Sequence, residues 1–543
     1  MTPRTIIAAL VIASAVDAAA CTSFLVGKKA SADGSVMITY AADSHTLYGD
    51  IVHTPAADHP KGSMRKVYDW DSGRYLMDIP QVSHTYAVTG NMNEHGLAIS
   101  ESTWGGREEL WGGKGVDYGS LITIALERAK TAREALKVMT DLVKEQGYAS
   151  EGESFSIADP NEAWILELIG KGKDEKGAVW VARRVPDDCI SGHANQPRIH
   201  RFPLKGDPET IYSPDVIKFA RKKGYFTGRD EDFDFSRTYG VPDAGTTRGC
   251  DARVWSFFRH HTDPAKMDAY LPWVLKAEGE EFPLFVKPDK PLTAQDLKED
   301  MRDHFEGTPL DMTQADDPGQ GPFKSPYRFR PMTFKVDGKE YVNERATATQ
   351  QTGFSFVAQL NDSHPDPMKG ILWFGVDDTN TTLYVPIYNS ASKVPHAFER
   401  GNGDLYNLSW DAAFWVNNYV ANQAYGRYDM MIQDIRPVQR ELEQGMNAEV
   451  DSLLNVIPAM SKADAVAALD KHSATASDRC LKRYKQLGDY LFVKYLDGNR
   501  KKEKDGQFLR NPDGLPASPD FPGYSPQYYE EIVRSTGDRL RID

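Results

Sequence analysis

The chain has 543 residues, 40% hydrophobic, 26% charged and 11% aromatic, a composition that excludes disorder, collagen and coiled coil. A formal charge of −14 gives nucleic acid no electrostatic footprint, and the short basic run at 499–504 reads as a solvated turn. Four cysteines in so long a chain are no disulfide framework, and a core of this size folds without one.

The amino end is the first informative stretch. Arg4 supplies a positive charge, Ile6 to Val16 an apolar run too short for a bilayer, and Ala18-Ala19-Ala20 a small-residue cleavage site. Residues 1–20 are therefore predicted to be a secretory signal peptide, and the mature protein to be exported, periplasmic or extracellular. No other segment reaches the ~18 apolar residues of a membrane span. Cleavage after Ala20 would make Cys21 the first residue of the mature chain.

Thr22 to Gly27 and Ser35 to Tyr40 read as strands joined by a turn at Asp33-Gly34. His84 to Thr89 and Leu97 to Thr103 follow as strands around the turn at 93–96. Apolar residues at helical spacing from Tyr118 to Gln146, with Thr131 and Glu134 as a capping box, predict two helices. Strands resume at Ser154–Ala158, Trp164–Ile169 and Ala178–Arg183. Ile371–Val376 and Thr382–Ile387 form a later hairpin, residues 408–496 are mainly helical, and the tail after Lys501 is irregular. Strands, then helices, then strands argue for an α+β fold with antiparallel sheets. No repeat or linker separates two cores, so residues 21–400 are expected to form one core and 401–543 a helical extension packed on it.

A cysteine exposed as a new amino end carries a nucleophile and a base on one carbon. Its α-amine, with a reference pKa of about 7.7–8.0, can take the thiol proton directly or through one water. Two other readings compete: a lipid-bearing cysteine of a binding protein, although Ala18 stands where lipidation favours a leucine-like residue, and a small buried hydrophobe. His84, His95 and His193 lack the local pairing of metal ligands, so no metal and no cofactor is expected. No G-x-S-x-G elbow occurs, and Gly112 to Gly115 is a flexible turn, not a phosphate loop.

Four blocks carry a resemblance. They are CTSFLVGKKASADGS at 21–35, NMNEHGLA at 91–98, SGHANQPR at 191–198 and DARVW at 251–255. Together they resemble peptidase family C69, secreted and cytosolic dipeptidases of the N-terminal nucleophile (Ntn) hydrolase superfamily. The resemblance implies an αββα four-layer sandwich and metal-free hydrolysis of dipeptides through a thioester acyl-enzyme. Carried over residue by residue, Cys21 is the nucleophile, Asp43 orients its α-amine, Asn195 stabilises the oxyanion, and Arg253 lies near the thiol. The chain departs from the family at position 40, where Tyr40 stands in place of an arginine. It also has Thr103 where related acylases carry an oxyanion asparagine. Glu101, Thr103 and Trp104, at one strand end, are the candidate substrate contacts. The substrate ammonium falls to Glu101 or Asp43 and its carboxylate to Arg253 or a lysine. The alternatives are an Ntn amidase of penicillin-like or bile-salt-like acyl amides, and the Cys21-lipidated binding protein. Cys189 and Cys250 flank the Asn195 and Arg253 blocks, and sequence leaves their pairing open.

Overall fold

The computed structural model describes residues 20–314 and 317–543, so the predicted signal segment, apart from Ala20, lies outside the described residues. The fold is α+β, built on two large antiparallel sheets. The six-stranded sheet runs Ile190–His193, Ser23–Val26, Val36–Asp43, Thr352–Leu360, Gly370–Val376, Val385–Tyr388. The eight-stranded sheet runs Thr210–Tyr212, Ala178–Arg184, Ala163–Gly170, Gly152–Ala158, Ala98–Trp104, Met92–Asn93, Val88–Thr89, His53–Thr54.

The sheets face one another: Val36–Asp43 packs across Ala98–Trp104, Gly152–Ala158 and Ala163–Gly170. Val36–Asp43 is accordingly buried on both faces along its whole length, which is why it reads as a nearly continuous apolar run and not an alternating one. Helices Tyr118–Arg128 and Ala132–Gln146 lie on the eight-stranded sheet, and Ala252–His261 lies on Ile190–His193 of the other. Thr131 separates the first two helices by accepting from the Glu134 N–H at 3.3 Å. The turn between the first two strands closes at Gly34, whose φ of 80° favours glycine, and Asp33 accepts from the Ser35 N–H at 3.0 Å.

Three sequence expectations need correction. The strand expected over His84 to Thr89 is two fragments, His84–Thr85 and Val88–Thr89. The intervening N–H groups of Tyr86 and Ala87 donate instead to the Glu127 carbonyl and the Glu94 carboxylate. The strand expected from Thr382 starts only at Val385, because the Thr382 hydroxyl occupies both backbone groups of Val376. The tail contains a helix, Pro526–Thr536, opened by Ser525 and Pro526. All four cysteines are free, so Cys189 and Cys250 do not pair.

Helices Ala413–Gly426, Tyr428–Val456 and Lys462–Lys494 pack on the far strands of the six-stranded sheet. No helix among the described residues is long and apolar enough to cross a membrane.

Candidate active site

Cys21 stands two residues ahead of the Ser23–Val26 strand, joined to Ala20, with its backbone fixed from both sides. Thr22 and Ala41 exchange N–H···O bonds of 3.1 and 2.9 Å, and the Ala20 N–H donates to the Asp43 carbonyl at 2.7 Å. The Ser23 hydroxyl reaches the facing sheet at Ser100 Oγ and the Glu101 carbonyl, 3.2 Å each. The thiol is buried, at 3% exposure, and donates to Glu101 Oε1 at 3.3 Å. Tyr40 donates to the same carboxylate oxygen, its hydroxyl 3.8 Å from Sγ. Burial, together with the charges of Glu101 and Asp43, pushes the thiol well above its ordinary pKa. Cys21 is thus a protonated thiol in need of a base.

Asp43 ends the Val36–Asp43 strand. Its carboxylate accepts from Arg345 and, at 2.6 Å, from the Thr352 hydroxyl. Arg345 also donates to the Ala20 carbonyl at 3.1 Å. A cation therefore does meet Asp43, but it comes from the segment before the Thr352–Leu360 strand and not from position 40. No motif surrounds Arg345, and sequence reasoning missed it.

Arg253 was expected beside the thiol, and its hydrogen bond to Cys21 goes to the backbone carbonyl. Its Nη1 donates to the Cys21 carbonyl and to Thr22 Oγ1, 2.7 Å each. Its Nη2 donates to the Ala194 carbonyl at 3.2 Å and to Asn195 Oδ1 at 2.9 Å. Burial, with Arg345 close by, lowers Arg253 to about 10, still cationic near neutral pH. Asp251, its sequence neighbour, takes the Trp273 indole N–H at 2.8 Å. Asn195 adopts φ 55°, and its Nδ2 donates to the Thr103 carbonyl at 2.5 Å, so one of its two amide protons is committed.

Of the candidate substrate contacts, Glu101 and Thr103 line the cavity at Cys21 and Trp104 does not. Trp104 faces the other way, over Gly152 and edge-on to Phe235, because alternate residues of a strand point to opposite faces. The Thr103 hydroxyl donates to Glu153 at 2.6 Å, which commits its proton there.

The cavity encloses about 170 Å³. Leu47, Val88, Ile122, Leu126 and Phe354 give it an apolar wall, and Asp43, Asp71 and Glu101 give it acidic groups. Trp70 and Asp71 come from the turn between strands Met64–Tyr68 and Tyr75–Pro80. Asp117 accepts from the Trp70 N–H and Asp71 accepts from the Tyr118 hydroxyl, each at 2.9 Å. Sequence reading missed both contributors, since a hairpin's docking site has no local signature. His193 is held between the Ser102 and Ser156 hydroxyls at 2.6 and 2.8 Å, and burial drives it down to about 3, a neutral imidazole. His200, Asp234 and Glu281 are the one metal-competent cluster among the described residues. Arg237 already pairs with Glu281 at 2.6 Å, and the cluster lies outside the cavity lining.

A family model described as peptidase family C69 matches residues 20–441. A probable dipeptidase of Latilactobacillus sakei is 23% identical over 473 residues, covering 84% of this chain and 91% of the relative. A probable dipeptidase of Salmonella dublin is 28% identical over 387 residues, covering 68% and 81%. A probable dipeptidase B of Streptococcus pyogenes serotype M1 is 23% identical over 490 residues, covering 86% and 91%.

Proposed function

The chain belongs to peptidase family C69 and is a hydrolase of the cysteine-peptidase type, and we propose that it is an exported dipeptidase whose nucleophile is Cys21, freed as the amino end by removal of residues 1–20. The observation that carries this reading is the buried Cys21 thiol opening onto a cavity walled by Glu101, Asp43 and apolar side chains. The probable dipeptidases among its relatives support the substrate class.

In the proposed mechanism the freed α-amine takes the thiol proton and the thiolate attacks the scissile carbonyl. Asn195 does not line the cavity as Glu101 and Thr103 do; its second amide proton is the side-chain donor this reading assigns to the oxyanion, beside a backbone N–H. Asp43, held by Arg345 and Thr352, fixes the amine. Arg253 acts through the Cys21 carbonyl and Asn195, as a positioning residue. The protonated amine passes its proton to the departing amine, leaving the first residue as a thioester on Sγ. Water, deprotonated by the same amine, cleaves the thioester and restores the thiol. In this reading the two facing sheets and their helices form the αββα sandwich of an Ntn hydrolase.

The test is intact mass and amino-terminal sequencing of the exported protein, followed by assay on simple dipeptides. An unmodified chain starting at Cys21 that hydrolyses them supports the reading. Acyl chains on Cys21, or a start elsewhere, remove the catalytic base and overturn it.

A further inference from the structure

The carboxyl groups of Glu101 and Glu153 meet in the interior with no donor between them. Thr103 and Glu153 are direct partners across neighbouring strands, so Glu101 and Glu153 are diagonal neighbours on one face, within reach of long side chains. Both are fully buried. Glu101 Oε1 accepts from Cys21 and Tyr40, and Glu153 Oε1 accepts from Thr103. Each Oε2 atom is buried without a hydrogen-bond donor, and each carboxyl lies in the field of the other. Two ionised carboxylates repel across such a contact, so the pair holds one proton. Burial raises both. The two donors on Glu101 favour its anion, which leaves the proton on Glu153 and the charge beside the nucleophile.

Apart from the α-amine of Cys21, which the proposed mechanism holds at Asp43, that charge has no cation opposite it in the cavity. The titratable groups around it are Tyr40, Tyr118, Tyr148, Asp43, Asp71 and Glu151, and no Lys, Arg or His is among the described lining residues. In a peptide the α-nitrogen lies two bonds, about 2.5 Å, from the carbonyl carbon of its own residue. A carbonyl at attack distance from Sγ, about 3–3.5 Å, can therefore bring its ammonium within hydrogen-bond reach of an acceptor 3.3 Å from the same sulfur.

We infer that Glu101, with Glu153 holding the pair's proton, is the seat of the substrate's α-ammonium, so that the enzyme takes peptides with a free amino end and cleaves after the first residue. The inference rests on the reading of Cys21 as a dipeptidase nucleophile. It is tested with Ala-Ala against lactyl-alanine, in which a neutral hydroxyl replaces the ammonium beside the same amide. The wild type is expected to prefer Ala-Ala in kcat/KM by roughly a hundredfold, and Glu101→Gln to shrink that ratio to within about tenfold. A wild-type ratio near unity, or a ratio that survives in Glu101→Gln, overturns the ammonium seat alone. If Glu101→Gln does not fold, the wild-type ratio against pH decides. It should fall as pH rises through the substrate ammonium's ordinary pKa, about 8, and a flat ratio overturns the seat. A wild type with a free Cys21 amino end that cleaves neither compound overturns the dipeptidase reading and the seat with it.

Discussion

The Nη2 nitrogen of Arg345 donates both to the Asp43 carboxylate and to the carbonyl of Ala20, the residue bonded to Cys21. One guanidinium thus ties the end of the Val36–Asp43 strand to the point where the nucleophile's amine would be released. Its other η nitrogen is anchored on the Ala346 and Thr347 carbonyls, so the fork has no freedom to leave Asp43.

Arg345→Ala strands a buried carboxylate with Thr352 as its remaining side-chain donor. Removing one partner of a buried pair costs about 3–5 kcal/mol, and the misoriented Asp43 should lower kcat more than it raises KM. Arg345→Lys keeps the charge but loses the fork and should recover only part of either quantity. Urea unfolding and steady-state kinetics on the two variants check this. Wild-type stability in Arg345→Ala would show that the pair is not what holds Asp43.

Cys21→Ala should fold and be exported as the wild type is, and lose peptide hydrolysis to background. Cys21→Ser should keep a trace, since the α-amine remains while the nucleophile weakens. EDTA should leave the wild-type rate unchanged, because every step assigned above uses an amine, a thiol and hydrogen-bond donors. A large EDTA effect in the purified enzyme would direct attention to a metal.

Much of the candidate site could be named from the sequence because its parts are local. Cys21, the Asp33-Gly34 turn, and the Asn195 and Arg253 blocks each sit in a short stretch whose residue types suit the chemistry. Arg345, Glu153, Trp70 and Asp71 were not legible for the opposite reason. Each matters through a partner far away in the chain: Arg345 meets Asp43 across 302 positions, and Glu153 meets Glu101 only once the register of two strands is set. Arg253 shows the intermediate case, a residue singled out from sequence whose contacts had to be read from the structure. The Thr352–Leu360 strand went unread as well, although it is buried at nearly every position and pairs with Val36–Asp43. Its run of mixed polar and apolar residues shows no clean alternation of period two.

Gly119 allows the hairpin turn to close over the cavity. A Cβ there would lie 2.5 Å from both Cβ and Cγ of Trp70. Gly119→Ala should therefore push Trp70 and Asp71 off the cavity rim, at a cost of about 1–3 kcal/mol for overpacking. KM for dipeptides is expected to rise with kcat changing less, and Trp70→Ala should reproduce the KM effect. If Gly119→Ala binds substrate as the wild type does, the turn does not shape the substrate site.

Helix Tyr428–Val456 is fastened to the residues around it through Glu443, and that contact carries its own pH signature. Glu443 accepts from Arg302 at 2.6 and 3.2 Å, from the Tyr384 N–H at 3.2 Å and from Gln295 at 2.9 Å, all around a fully buried carboxylate. Arg302 and Lys298 outweigh burial and hold Glu443 below its ordinary pKa, so ionising it favours the folded state. That contribution is complete above the unfolded value, about 4.3, and disappears as pH falls through the lower folded value. Glu443→Gln leaves Arg302 buried without its anion and should destabilise the protein by about 3–5 kcal/mol near neutral pH. The gap between wild type and Glu443→Gln should then narrow below about pH 4.3, as the wild type's own glutamate takes up its proton. Urea midpoints measured from neutral pH down through that range check both the size and the sign. A gap of constant size would assign the effect to side-chain shape, and the ionised pair would no longer account for how that helix is held.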